Sequence, residues 1–134
     1  MCRYMYVSLT LCLWMTIPGC GDDATEADRL GIGAQCTDAA ECESADENVT
    51  LACLTQFTGG YCGLEGCATE SDCPEGSACV THGDGNNYCF RICGDKADCN
   101  RNRSENNWSN CSANVDFVDG KQDRKACVPP SSGL

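Results

Sequence analysis

Hydrophobic and polar positions split the chain into two unequal parts. Tyr4 to Ile17 form an uncharged apolar run, with Arg3 before it and a polar, acidic stretch after it. A run of about fourteen residues is too short to span a bilayer and suits the core of a signal peptide. Beyond it the apolar positions are brief and β-like. Val49-Thr50-Leu51-Ala52-Cys53-Leu54, the turn Thr58-Gly59-Gly60 and Tyr61-Cys62 predict one short hairpin. Ser77–Val80 and Tyr88–Phe90, flanking the glycine- and asparagine-rich loop 82–87, predict a second. Val115–Val118, the Asp119-Gly120 turn and Ala126–Val128 predict a third. The segments 37–41, 68–72 and 94–98 each have room for one helical turn. Pro129-Pro130 and the residues after them read as a frayed tail over 128–134.

Composition explains how such sparse elements could hold together. Fifteen of the 134 residues are cysteine, about 11%, which marks a disulfide scaffold. Reading only cysteines reveals a repeat. Cys36, Cys42, Cys53 and Cys62 form one group, Cys67, Cys73, Cys79 and Cys89 a second, and Cys93, Cys99, Cys111 and Cys127 a third. Each group opens with two cysteines that have five residues between them, and an acid precedes the second: Glu41, Asp72 and Asp98. The fold class expected is therefore a small disulfide-rich protein of three tandem four-cysteine modules, over 36–62, 67–89 and 93–127, with short β-hairpins and little regular secondary structure. Modules of this size cannot bury enough apolar surface unaided. A bridge closing a loop of about fifteen residues contributes roughly 3 kcal/mol, and two per module could replace the missing core. Three pairings are open in each group. First-to-third with second-to-fourth is favoured, because it ties the opening turn onto the ribbon. An oxidising compartment is implied.

The leader ends in Ile17-Pro18-Gly19-Cys20. With its aliphatic residue, small residue and cysteine, this end resembles the bacterial lipoprotein signal. Pro18 departs from the small or weakly polar residue usual at its position. The resemblance implies cleavage of 1–19 and acylation of Cys20. Cys2 and Cys12 would leave with the leader, and the twelve cysteines from Cys36 on form an even set. Residues 20–35, which carry four acids and one arginine, read as the lipidated cysteine and an acidic flexible tether. The lipobox, the acidic spacer and Gly66-Cys67-Ala68-Thr69-Glu70-Ser71-Asp72-Cys73-Pro74 together resemble the cysteine-rich lipoproteins abundant in myxobacteria and related bacteria. That group has no assigned activity. It implies an address, the cell envelope and its outer membrane or surface rather than the inner membrane. The partner so implied is the lipid bilayer, through N-terminal acyl chains. Without lipidation the protein would be secreted.

Charge narrows the function. Nine Lys and Arg against twenty Asp and Glu leave nothing to line a phosphate backbone, so no nucleic-acid partner is expected. The acids crowd the first half, while Arg91, Lys96, Arg101 and Arg103 cluster near Trp108. His82 is the one histidine and sits in the glycine-rich loop, where a positioned base is hard to build; it reads as a solvated turn residue. No Cys-x2-Cys occurs, and the cysteines of an exported chain read as bridges rather than zinc ligands. No catalytic residue, metal or cofactor is expected. The expectation is a non-enzymatic envelope lipoprotein with a structural or protein-interaction role, its partner an envelope or extracellular protein. The alternatives are a secreted protease inhibitor or toxin-like effector presenting the 81–88 loop, and a small extracellular hydrolase.

Overall fold

The computed structural model describes Ala27, residues 31–42, Ser44 and residues 46–131. The leader and Cys20 lie outside the described residues. The described chain is a small disulfide-rich protein with mixed β-strand content and little regular helix. Its strands are β1 (Ala52–Cys53), β2 (Cys62–Gly63), β3 (Ser77–Thr81), β4 (Asn87–Cys93), β5 (Asn110–Ser112), β6 (Asp116–Phe117) and β7 (Lys125–Val128). A helix, α1 (Lys96–Asn100), and 3-10 turns at Ala39–Glu41, Glu70–Asp72 and Glu105–Asn107 are also described. No described helix is long and apolar enough to cross a membrane.

The opening segment of each cysteine group folds by the same local chemistry. In the first, Asp38 caps a 3-10 turn over Ala39–Glu41. The second places its turn at Glu70–Asp72. In the third, Asp95 caps α1 and Asp98 reaches back to the Asp95 N–H, closing a capping box. The recurring acid serves the same purpose each time. Glu41 accepts from the Thr37 N–H, Asp72 from those of Ala68 and Thr69, and Asp98 from those of Gly94 and Asp95. These are backbone donors that a one-turn helix cannot satisfy itself.

Six disulfides stay within the three groups: Cys36–Cys53, Cys42–Cys62, Cys67–Cys79, Cys73–Cys89, Cys93–Cys111 and Cys99–Cys127. Each group is joined first-to-third and second-to-fourth. Backbone pairing does not respect the groups. β1 and β2 form a two-stranded ribbon, whereas the rest make one antiparallel sheet in the order β5-β7-β4-β3-β6. The hairpin expected in the third group is therefore absent. β6 leaves β7 and pairs with β3, Val80 opposite Phe117, while β7 is held between β4 and β5. The reason is burial: Phe117 and Ala126 each reach the common core this way, at 4% and 0% exposure.

Alternation then divides the sheet into two faces. Register places Ala78, Val80, Tyr88, Phe90 and Ala126 on one face and Cys79, Cys89, Cys93, Cys111 and Cys127 on the other. The cysteine face is stapled by bridges. The apolar face packs on the first group, where Leu51, Leu54, Phe57, Tyr61 and Ile32 complete one continuous core. Phe57 is its centre, edge-on to Tyr61, Tyr88 and Phe90 at 5.1–6.1 Å between ring centroids. Gly60 makes the return tight: its φ is +68°, and a Cβ there would stand 2.0 Å from the Cys36 carbonyl oxygen.

Both ends expected to be loose are bound where the structure describes them. Ala27 donates to the Glu75 carbonyl at 2.7 Å, Ile32 is buried, and Gly33 and Ala34 exchange backbone hydrogen bonds with Cys62. The tether expected over 20–35 therefore gives way to packed chain before its end. The tail is also tied in: Pro129 is fully buried, Thr58 donates to the Pro130 carbonyl at 2.8 Å, and Phe57 pairs with Ser131. Arg103 locks these edges together. It is 8% exposed and donates to the carbonyls of Gly33, Thr58, Gly60 and Asn107.

Candidate functional site

The β3–β4 connection carries the lone histidine. His82 and Asn86 close the loop through a backbone hydrogen bond of 2.8 Å, and Gly85 N–H returns to the His82 carbonyl at 2.9 Å. Gly85 takes φ +85°, which the tight return requires. Asp84 accepts from the Tyr88 hydroxyl at 2.7 Å and from the Asn86 N–H at 2.9 Å. Desolvation pushes the Asp84 carboxyl up, but the hydrogen bonds from Tyr88 and Asn86, together with the nearby His82, hold its pKa below the usual value. Burial, helped by the hydrogen bond to Asp84, raises the Tyr88 hydroxyl in turn.

His82 is not a solvated turn residue. Its ring stands edge-on to Phe57 at 5.2 Å, with Phe90 at 5.9 Å and Tyr88 at 6.0 Å. It is half-buried as a member of the aromatic cluster, because β3 delivers it to the apolar face of the sheet. Its imidazole nitrogens hydrogen-bond to no described residue.

Beside His82, the apolar face of the sheet runs beyond the cover of the first cysteine group. A cleft of about 400 Å3 opens there. Its floor is Val80, Phe90 and Val128, and Val115 adds an apolar wall. Its rim is polar: Asn110 and Ser112 from β5, Asn114, and Asp116 from β6. The side chains of Asn110, Asn114 and Asp116 hydrogen-bond to no described residue. Ser112 accepts from the Asn114 N–H at 3.1 Å, which sets the turn that carries Asn114 to the rim. No lysine or arginine lines the cleft. Sequence reasoning missed this site, because its rim comes from β5 and from the displaced β6, and neither pairing is visible in the local pattern.

The basic cluster expected near Trp108 separates into two pairs. Arg91 and Arg103 turn inward, each 8% exposed. Lys96 and Arg101 flank the exposed Trp108, the Lys96 ammonium lying 5.2 Å from the ring centroid. With Ala97 and Asn100 they line a small, mainly apolar depression. Three places gather three cysteine sulfurs within 4.8 Å, around Cys36, Cys67 and Cys93. Every one of those sulfurs belongs to a disulfide, which offers no thiolate to a metal. Cys20, expected to carry the acyl chains, lies outside the described residues.

No family model, curated protein or solved structure matches this chain.

Proposed function

We propose that this protein is a non-enzymatic component of the bacterial cell envelope, exported by its leader and anchored through acyl chains on Cys20. Its body of three tandem four-cysteine units would serve a structural or binding role outside the membrane. The observation that carries the reading is cysteine pairing. The six bridges use every cysteine from Cys36 to Cys127, so Cys20 has no mate among them in a chain that has lost Cys2 and Cys12. A leader that ends at Gly19-Cys20 gives that thiol a use. The non-enzymatic part rests on His82, whose ring is engaged with Phe57 and makes no hydrogen bond to a nucleophile or orienting acid among the described residues.

The geometry also limits the tether. If Cys20 is acylated, only six residues separate it from Ala27, whose backbone is fixed to Glu75. The seven-residue step from Cys20 to Ala27 reaches at most about 25 Å. The body would ride close to the bilayer rather than range freely from it. The test is intact-mass analysis of detergent-extracted protein, beside Cys20→Ala. The expected result is an N-terminus at Cys20 with a diacylglyceryl and acyl increment, and a Cys20→Ala protein that leaves the membrane fraction still folded. An unmodified N-terminus at another residue overturns the proposal and favours a secreted inhibitor or effector.

A further inference from the structure

We infer that the cleft on the apolar face of the sheet is a binding site for a neutral or amino-bearing saccharide. The inference goes beyond anchorage, because the cleft belongs to the folded body and forms whether or not Cys20 carries lipid.

Shape comes first. A volume of about 400 Å3 falls at the lower end of the range for ligand sites, roughly 300–1,000 Å3. It suits one or two small rings. Layout follows from the sheet. Alternation makes the floor apolar, with Val80, Phe90 and Val128 contributed by three neighbouring strands. The strands that flank these contribute the rim, and its groups are amide, hydroxyl and carboxylate. Such a site matches a molecule with flat apolar C–H faces and hydroxyls around its edge. A pyranose has that pattern.

Hydrogen-bonding capacity points the same way. Each carboxamide of Asn110 and Asn114 both donates and accepts, so each can serve a hydroxyl in either sense. The Ser112 hydroxyl has a proton to give, and the Asp116 carboxylate accepts only. Since Asn110, Asn114 and Asp116 spend no side-chain hydrogen bond on the described protein, this capacity is free for a ligand. The β5 part of the rim is also pre-positioned, since Asn110 and Ser112 sit in register opposite Val128 and Ala126, on the apolar face. Pre-positioned partners lower the cost of ordering on binding.

Charge chooses among saccharides. Asp116 is the one acidic residue lining the cleft and no lysine or arginine accompanies it. The whole chain carries −11. A uronic acid or a phosphorylated sugar would be opposed by Asp116 and by the net charge, with no cation in the lining to offset them. A neutral sugar is accepted, and an amino group gains a partner in Asp116.

The experiment is an amide-resolved NMR titration of the oxidised protein with N-acetylglucosamine, with glucosamine, and with glucuronate as the anionic counterpart. The expected result is saturable shifts at His82, Gly83 and residues 110–116, in the millimolar range, for one or both of the first two sugars and not for glucuronate. Asn110→Ala combined with Asn114→Ala should weaken that binding about tenfold or more, the scale of two lost hydrogen bonds. Both side chains are exposed, so the variant should keep its circular dichroism and its six bridges. Asp116→Asn should narrow the preference for glucosamine over N-acetylglucosamine while preserving the shape of the rim. The inference is overturned if neither sugar produces saturable shifts at the cleft. Glucuronate binding as tightly as the other two, or an affinity unmoved in the folded double variant, overturns it as well.

Discussion

One carboxylate per cysteine group holds together each opening turn. Glu41, Asp72 and Asp98 accept hydrogen bonds from backbone N–H groups three or four residues earlier, and those bonds hold all three carboxyls below their ordinary pKa. A carboxyl with a depressed folded-state pKa contributes stability above its unfolded value, near 4, and loses it as pH falls through the folded value. Acid should therefore loosen the opening turns although no bridge is broken. Carboxyl-resolved NMR should place the three midpoints below those of model peptides. Asp72→Asn should remove that share of the pH dependence and speed amide exchange at Ala68 and Thr69. Midpoints at the model value would refute the capping role. The acid before the second cysteine is legible in the sequence as a recurrence, but its purpose is not. Spacing shows that a residue returns, while the identity of the donor it meets depends on the turn's geometry.

At the scale of elements, legibility follows how local the pairing is. β3 and β4 are five and seven residues long, joined by a short glycine-containing loop, with Cys79 directly opposite Cys89. Their alternation can be read directly. The 3-10 turns at Ala39–Glu41 and Glu70–Asp72 and the helix α1 fall within or beside the three segments expected to turn, since caps are local signals, whereas the turn at Glu105–Asn107 lies outside them. β5, by contrast, is Asn110-Cys111-Ser112, with no apolar pattern to announce it, and β6 is two residues long. Strands that short take their partner from what they can bury, and Phe117 finds the core beside Val80. The tail misleads for the same reason: a Pro-Pro-Ser run looks frayed until a groove beside Phe57 receives it. Ending the chain after Val128 should expose that groove and free the Thr58 amide. The loss combines a buried proline with at least one backbone hydrogen bond, about 1–3 kcal/mol. Thermal unfolding and hydrogen exchange at Thr58 check it. Stability and exchange unchanged by the truncation would mean the tail is not docked in solution.

Over the whole molecule, covalent and non-covalent organisation disagree, and the disagreement can be measured. The bridges divide the chain into three closed groups, whereas the sheet and core run through all of them. β4 runs from the second group into the third, ending on Cys93. If the bridges dominated, each group would open on its own, and damage in one would leave its neighbours protected. A shared core couples them instead, because Phe117 and Ala126 of the third group and Phe57 of the first are packed against the same strands, β3 and β4. Cys99→Ala with Cys127→Ala removes one bridge without leaving a free thiol. Its cost should be the 2–5 kcal/mol typical of a small secreted domain. Coupling adds a second expectation: faster exchange should spread beyond the third group to β3, at Val80 and Thr81, where β6 is hydrogen-bonded. The intact protein should also unfold in one thermal transition rather than three. Exchange confined to residues 93–127 in the double variant, or three resolved transitions in the intact chain, would show that the groups fold separately and that the continuous core contributes little to holding them together.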